Sequence, residues 1–339
     1  MTNMRNGRRT ALDAGSGRSQ PNIAMWGAPG SGKTTLLAAL NIALLRQPGS
    51  WSIVGADPAS TGFLTDKTTA LSRDKVFPPA TQVLDNYNWF LVGQSEQRRA
   101  RWFRRSRTAR AHKIGINLLD PPGGVFGNRQ GVTSQQELLR NLVQSRGIVF
   151  LFDPIRENED GDAFEYLHGA LAQLAEQVIA GADTTDGRLP HHLAVCITKF
   201  DDYKVLETAK RLRLLTADPE DPFGFPRVSN EDGKELFQEL CRVSASGNAD
   251  MALNAIDRFF HKDRIRYFVT SSIGFYVNPR TKVFDIDDYE NLVPAVFRTA
   301  SGQPTSGAKF ANGVRIRGEV RPINVMEPML WLGQQISTP

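Results

Sequence analysis

Residues 22–40 read NIAMWGAPGSGKTTLLAAL, and this stretch decides the fold of the chain. Its apolar start predicts a short buried strand, and residues 27–34 predict a glycine-rich turn. Leucines at helical spacing then predict a helix over residues 33–46, which Pro48 ends. Strand, glycine turn and helix therefore follow one another without interruption.

The turn at residues 27–34 fits the pattern G-x-x-x-x-G-K-[S/T]. Backbone N–H groups of such a turn surround a phosphate group, and the start of the helix adds positive potential. The predicted contacts with the phosphates come from Gly27, Gly30, Ser31, Gly32, Lys33, Thr34 and Thr35. Lys33 would neutralise the β- and γ-phosphates, and the hydroxyl of Thr34 would bind Mg²⁺. The motif predicts a nucleoside triphosphate without choosing its base.

Further short apolar runs alternate with helical patterns along the chain. They predict strands at residues 51–54, 88–92, 114–119, 148–152, 193–198 and 265–270. Strands that are apolar on both faces need helices on both sides of their sheet. We therefore predict an α/β fold, and together with the turn at 27–34 it resembles the three-layer fold of P-loop nucleoside-triphosphatases. Its sheet would be mostly parallel with one antiparallel edge strand.

Composition and periodicity predict how the chain is divided. Residues 1–20 are Arg-rich without periodicity, so we expect a disordered basic arm. Residues 21–298 form the predicted nucleotide-binding domain, with a basic insertion at 98–113 and a helical insertion at 202–262. Residues 299–339 are predicted to form a flexible loop and a C-terminal helix.

The composition excludes several classes of protein. The chain has 339 residues, 40% hydrophobic and 23% charged, as in ordinary globular proteins. Its apolar runs are shorter than the roughly 18 residues that span a bilayer, and its N-terminus lacks the apolar core of a secretory signal. The two cysteines, Cys196 and Cys241, cannot build a disulfide framework. We therefore expect a cytoplasmic location.

Three further motifs each directly follow an apolar strand. They are DPPG at residues 120–123, TKFD at 198–201 and TSS at 270–272. Together with the turn at 27–34, this order resembles that of the P-loop GTPase superfamily, in particular its Ras-like members. The resemblance implies that the chain binds GTP and Mg²⁺, hydrolyses GTP, and changes conformation around the DPPG turn.

A narrower resemblance is to large bacterial GTPases of the double-GTPase type, which occur in conflict-related gene clusters. It rests on PPAT at residues 78–81, on the DPPG turn, and on EPMLWL at residues 327–332. A protein partner or activator is expected on another ground, because the glutamine that positions the attacking water in many GTPases is absent.

The resemblance also assigns the residues around the γ-phosphate and the metal. Asp120 would hold Mg²⁺ through a water molecule, and the N–H of Gly123 would approach the γ-phosphate. Thr81 stands where Ras-like proteins keep the threonine that senses the γ-phosphate and contacts the metal. The alternatives for this threonine are Thr61, Thr65, Thr68 and Thr69. The predicted catalytic residues are thus Lys33, Thr81, Asp120 and Gly123, and the metal ligands are Thr34, Thr81 and Asp120.

The later motifs would choose the base. The carboxylate of Asp201 can accept hydrogen bonds from N1–H and N2–H of guanine, a pair of donors that adenine lacks. The aliphatic stem of Lys199 can cover the base plane. Thr198 stands where the family more often has Asn. Backbone N–H groups near Ser271 and Ser272 can reach the O6 atom of guanine.

One departure from the family concerns hydrolysis. Many members carry a glutamine directly after D-x-x-G, where Gly124 and Val125 stand here, and Gln130 is a distant substitute. Turnover would therefore be slow or would need a partner. Two other functions stay open: a P-loop ATPase that acts on nucleic acid, and a nucleotide-binding scaffold with little turnover.

A competing interpretation comes from GADPAS at residues 55–60. It is similar to a segment of metallochaperone-type GTPases and related ATPases with all-parallel sheets, in which Asp57 would approach Mg²⁺ or the attacking water. An antiparallel pairing of the strands at 88–92 and 114–119 favours the Ras-like interpretation instead.

The basic segment at residues 98–113 carries seven Arg and one Lys, or +8, whereas the whole chain carries +5. Its aromatic residues Trp102 and Phe103 could stack on bases, so nucleic acid or an anionic membrane surface is a conceivable partner. A solvated surface is favoured, since charge runs usually face water. An arginine of this segment could also reach the γ-phosphate as an arginine finger.

Overall fold

The structure is a computed structural model. It describes residues 22–47, 49, 51–78, 85–94, 111–120, 132–180, 187–244, 249–298, 304–306 and 313–337. The arm at 1–20, Thr81, Gly123 and most of the basic segment lie outside the described residues.

The strands and helices alternate through most of the described chain. The strands are β1 (Asn22–Gly27), β2 (Ser52–Gly55), β3 (Asp85–Gln94), β4 (Ala111–Asp120), β5 (Gly147–Phe152), β6 (His192–Ile197), β7 (Leu215–Ala217), β8 (Pro226–Val228), β9 (Ile265–Val269), β10 (Leu292–Pro294), β11 (Val296–Arg298), β12 (Pro304–Ser306) and β13 (Val314–Ile316). The helices are α1 (Lys33–Arg46), α2 (Pro58–Thr69), α3 (Val132–Gln144), α4 (Pro154–Asp160), α5 (Ala163–Ala180), α6 (Tyr203–Arg211), α7 (Gly233–Arg242), α8 (Ala249–Phe259) and α9 (Glu327–Ser337).

A seven-stranded sheet forms the centre, in the order β2-β3-β4-β1-β5-β6-β9. Every neighbouring pair is parallel except those of β3, which runs antiparallel to both β2 and β4. The predicted α/β fold with a mostly parallel sheet is confirmed. The antiparallel strand lies one position in from the edge, because β2 adds a further strand outside it. The antiparallel β3–β4 pair excludes the all-parallel alternative.

Helices cover both faces of the sheet, as the apolar strands require. On one face α1, α2 and α9 pack against the sheet through fully buried side chains such as Leu37, Leu40 and Leu332. On the other face α3, α5, α7 and α8 bury side chains such as Leu142 and Leu171. The chain therefore has the three predicted layers.

The register aligns the carboxyl ends of the strands at one edge of the sheet. On either side of β1, Leu118 of β4 pairs with Met25, and Leu151 of β5 pairs with Gly27. The ends of β5, β6 and β9 are aligned in the same way. Ligands of open α/β sheets bind outside this edge, which we call the carboxyl edge.

Two regions differ from their predicted content. The insertion at 202–262 contains the hairpin β7–β8 between its helices, where Leu215 pairs with Val228. Several prolines and Gly224 interrupt the helical pattern there, so a hairpin replaces a helix. The region 299–339 contributes β12 and β13, which pair with β11 and β10, ahead of α9. A search of the described helices for one with the length and apolarity to cross a membrane finds none.

Candidate nucleotide-binding site

The phosphate loop, residues 27–34, joins β1 to α1 at the carboxyl edge. Gly30 and Gly32 have φ values of 75° and 92°, in the left-handed region that other residues rarely adopt. A side chain at Gly27 would place its Cβ 2.7 Å from the carbonyl oxygen of Leu151. The N–H of Ser31 donates to the carbonyl of Ala28 at 3.1 Å. Glycines are therefore required here for backbone conformation and for space.

Two side chains of the loop suit a phosphate ligand. Lys33 is buried, and its Nζ donates to the carbonyls of Gly27 and Ala28 at 3.1 and 3.2 Å. Its positive charge thus lies within the loop instead of in solvent. Among the described residues, the buried hydroxyl of Ser31 is one of the few side-chain groups without a hydrogen-bond partner. A ligand with acceptor oxygens would remove that penalty of about 1–3 kcal/mol.

The predicted metal ligands are described in part. Thr34 is buried in the first turn of α1. Asp120 ends β4 beside β1, and its backbone pairs with Asp85, the first residue of β3. The side chain of Asp120, Gly123 and Thr81 itself lie outside the described residues.

The side-chain types at Thr34 and Asp120 are suitable for binding a magnesium ion. A hydroxyl and a carboxylate are oxygen ligands, which Mg²⁺ prefers, and it usually takes few of them from protein and the rest from phosphate and water. Within the described ranges, no group of three His, Cys, Asp or Glu residues is placed to hold a metal ion by itself.

Asp57 does not join this site. It follows β2, three strands from β1, or about 14 Å at the usual strand spacing. Its Oδ1 accepts the N–H of Ser60 at 2.7 Å and its Oδ2 accepts the hydroxyl of the same residue at 3.0 Å. These hydrogen bonds lower the pKa of Asp57. Asp57 is therefore the N-terminal cap of α2.

The basic segment starts from the opposite edge of the sheet. Residues 95–110 connect β3 to β4, and the last described pair before them is Gln94 with Ala111. Asp120 is nine residues further along β4 than Ala111, or about 30 Å at 3.3 Å per residue. An arginine finger from this segment would have to cross the whole length of β4 to reach the phosphate loop.

The base-binding turn, residues 198–202, follows β6 at the carboxyl edge. The N–H and hydroxyl of Thr198 both donate to the carbonyl of Phe152, at 2.9 and 3.0 Å. Lys199 adopts a left-handed conformation with φ 59°. The N–H of Phe200 donates to the carbonyl of Thr270 at 3.1 Å. The turn is thus tied to the ends of both neighbouring strands, β5 and β9.

Asp201 and Ser271 meet within this region. The Ser271 hydroxyl donates a short hydrogen bond to Oδ1 of Asp201 and accepts one from the N–H of Gly274 at 2.7 Å. Burial raises the pKa of Asp201 to about 6, although the hydrogen bond from Ser271 acts in the opposite direction. Ser271 is fully buried and Ser272 is half-buried. The structure thus brings the predicted base-reading residues Lys199, Asp201, Ser271 and Ser272 to adjacent strand ends.

The C-terminal brace, residues 320–324, contributes to the site without any motif. Ile323 and Ser271 exchange two backbone hydrogen bonds, at 3.0 and 2.8 Å. The N–H of Arg321 donates to the carbonyl of Ile273 at 2.8 Å. Gly274 has φ 67°, and a Cβ there would lie 1.9 Å from the carbonyl oxygen of Arg321. The end of the chain therefore holds the loop that carries Ser271 and Ser272.

Asp153, like the C-terminal brace, contributes to the site but belongs to none of the sequence motifs. It directly follows β5, and its Oδ2 lies 2.7 Å from Nζ of Lys199. Its Oδ1 accepts the N–H groups of Ile155 and Arg156, both at 3.1 Å, so it also caps α4. The available signal was an aspartate followed by proline after an apolar strand, a common start of a helix.

No family model matches the chain. The chain is 27% identical over 193 residues to the thiamine import ATP-binding protein ThiQ of Jannaschia sp. (strain CCS1), covering 54% of this chain and 80% of that protein.

Solved structures that resemble the chain include proteins with bound guanine nucleotides. The signal recognition particle receptor SRb-GTP/SRX complex from Chaetomium thermophilum is 14% identical, with a TM-score of 0.34, over 77% of this chain and 94% of that one. The S. cerevisiae Ski7 GTPase-like domain bound to GTP is 15% identical, with a TM-score of 0.32, over 74% of this chain and 42% of that one.

Proposed function

We propose that this chain, which has the sheet order and phosphate loop of a P-loop nucleoside-triphosphatase, binds GTP with Mg²⁺ and hydrolyses it as a conformational switch. The observation that carries the proposal is the position of Asp201. Asp201 lies in the turn that follows β6, on the same edge as the phosphate loop after β1, and β5 alone separates these two strands. Strands two apart lie about 10 Å from each other, which leaves room for a nucleoside between base and phosphate sites.

The phosphate end would work by positioning and by charge neutralisation. Lys33 and the N–H groups of the loop would bind the β- and γ-phosphates and offset the charge that develops on them. Thr34, Thr81 and Asp120 are the proposed ligands of Mg²⁺, which when bound would neutralise further phosphate charge. Gly123 would bring its N–H to the γ-phosphate. Water is the nucleophile, and the products are GDP and phosphate.

The proposed switch consists of two segments: the residues that follow β4, including Gly123, and the residues that precede β3, including Thr81. The backbones of Asp120 and Asp85 pair, so that contacts of Thr81 and Gly123 with one γ-phosphate would act on two connected segments. Because Gly124 and Val125 replace the glutamine that orients water in many family members, slow turnover or a stimulating protein partner is part of the proposal.

Two other functions would give different results in one experiment. Equilibrium binding of labelled GTP and ATP to the full chain separates a GTPase from an ATPase; the relative ThiQ is named for binding ATP. Preference for GTP supports the proposal, and preference for ATP contradicts it. Single-turnover hydrolysis, alone and with partner proteins, separates an enzyme from a scaffold. A complete lack of phosphate release would leave only nucleotide binding.

We also propose a cellular location and a role for the basic segment. Cys196 and Cys241 are both buried free thiols, which suits a reducing cytoplasmic compartment. For the basic segment, which joins β3 to β4 beyond the pair Gln94–Ala111, we propose a role in contacts with a partner. Binding to nucleic acid or to an anionic membrane through this segment is not favoured.

A further inference from the structure

We infer that Asp153 is a positioning residue that holds Lys199 as a preformed platform for the base, an inference that rests on the proposed binding of GTP. Its carboxylate pairs with the ammonium of Lys199 at 2.7 Å. The side chain of Asp153 is 3% exposed, whereas that of Lys199 is 43% exposed. The charged end of the lysine is therefore anchored while its stem stays accessible to a ligand.

Asp153 cannot easily release this lysine. One carboxylate oxygen holds the lysine, and the other accepts the first two free N–H groups of α4, at 3.1 Å each. Rotation of the carboxylate would uncap the helix and leave a buried charge without its partner. The position of the negative charge is thus set by the end of β5 and the start of α4.

The other end of the lysine stem is held by the backbone. Both bonds from Thr198 to the carbonyl of Phe152 hold the residue before Lys199 against β5. The left-handed conformation of Lys199 then sets the direction of its Cα–Cβ bond. With both ends fixed, binding a base need not order a flexible side chain, which is among the larger entropic costs for lysine.

This arrangement links the base site to the phosphate loop. Phe152 ends β5 and Asp153 follows it, and Leu151 of the same strand pairs with Gly27 of the phosphate loop. The residues that anchor Lys199 therefore directly follow the strand that borders the phosphate loop. Because the charge of Asp153 is paired with Lys199, we expect it to act on binding of the base, and not on binding of the phosphates.

The test compares GTP with inorganic tripolyphosphate, which offers phosphates without a base. In Asp153→Asn the amide oxygen can still cap α4, while the charge that holds Lys199 is lost. We expect the affinity for GTP to fall roughly tenfold and that for tripolyphosphate to stay unchanged, by calorimetry. Asp57→Asn is the matched control, because Asp57 caps α2 far from the site. It should change neither affinity.

A double-mutant cycle tests whether Asp153 affects binding of the base through Lys199. Lys199→Met should weaken GTP binding by a similar factor, and adding it to Asp153→Asn should have little further effect. Lys199→Arg keeps the ion pair and should retain most of the affinity. Additive losses, an unchanged affinity of Asp153→Asn for GTP, or an equal loss for tripolyphosphate would each overturn the inference.

The same binding measurements distinguish failure of the proposed function from failure of the inference about Asp153. Wild-type protein that binds GTP no better than ATP would remove both proposals, whereas wild-type preference for GTP together with an unaffected Asp153→Asn would remove the inference alone. Should Asp153→Asn not fold, as judged by circular dichroism, Lys199→Met decides. A loss of GTP affinity without a loss for tripolyphosphate supports the inference, and no loss contradicts it.

Discussion

The phosphate loop and the base-binding turn lie at the same edge of the sheet, but they are built in different ways. The phosphate loop is one continuous stretch, residues 27–34, in which the ammonium of Lys33 lies against the backbone carbonyls of Gly27 and Ala28. The base-binding turn depends on separate segments: Asp153 after β5, Ser271 after β9, and the C-terminal brace.

This difference has a physical origin. A phosphate group is recognised by charge and by N–H groups that any backbone can offer in the right conformation. A base is recognised by side-chain atoms that must be held at fixed positions, and several strands have to hold them. We therefore expect damage to the loop to abolish nucleotide binding, and damage to the turn to alter the choice of base.

The largest effect is expected at the phosphate loop, from Lys33→Ala. Loss of the buried ammonium removes the charge that offsets the phosphates, so affinity for GTP and for tripolyphosphate should both fall roughly a thousandfold. Binding of a fluorescent GTP analogue measures the first and calorimetry the second. Lys210→Ala, at an exposed lysine of α6, should change neither. Retained affinity in Lys33→Ala would contradict the proposed phosphate site.

The next effect is expected at the base, from Asp201→Asn. The amide accepts one hydrogen bond and offers a donor, so GTP affinity should fall roughly a hundredfold while XTP affinity rises. Competition between GTP and XTP for the labelled nucleotide checks this exchange. Asp202→Asn, at the neighbouring cap of α6, should leave the preference for GTP unchanged. An unaltered preference in Asp201→Asn would mean that Asp201 does not contact the base.

A third expectation concerns pH, because burial raises the pKa of Asp201 to about 6. Only the ionised carboxylate accepts both guanine N–H groups, and below pH 6 a proton occupies it. Affinity for GTP should therefore fall about tenfold between pH 7 and pH 5. The same titration of Asp201→Asn corrects for protonation of the nucleotide. Parallel pH profiles for the two proteins would show that another group titrates.

The smallest effect is expected at the brace, from Gly274→Ala. The new Cβ would meet the carbonyl of Arg321, so the loop that carries Ser271 and Ser272 must shift. GTP affinity should fall about fivefold, with tripolyphosphate binding unchanged. Gly169→Ala in α5 is the control, since a Cβ there meets no atom within 4 Å. Equal losses for both ligands would show that the brace supports the whole fold and not the base site.

Much of the fold could be predicted from sequence. The seven strands of the central sheet follow short apolar runs, and the pairing of β3 with β4 was expected to be antiparallel. The position of β2 outside β3 and the presence of the hairpin β7–β8 were not predicted, because strand order depends on tertiary partners and very short strands have weak periodicity. The competing interpretation, in which Asp57 approaches Mg²⁺, fails because strand order decides which strand ends are neighbours and β2 lies three strands from β1.

The residues of the candidate site also fall into those that the sequence predicts and those that only the tertiary structure shows. Residues 27–34 and the strand-end motifs could be recognised because each function needs a few residue types at short spacing, and local backbone geometry supplies the rest. The pairing of Asp153 with Lys199, and the contact of Gly274 with Arg321, join positions 46 and 47 residues apart in the chain. Such contacts form only when the folded sheet brings its strand ends side by side. No local sequence pattern therefore predicts them.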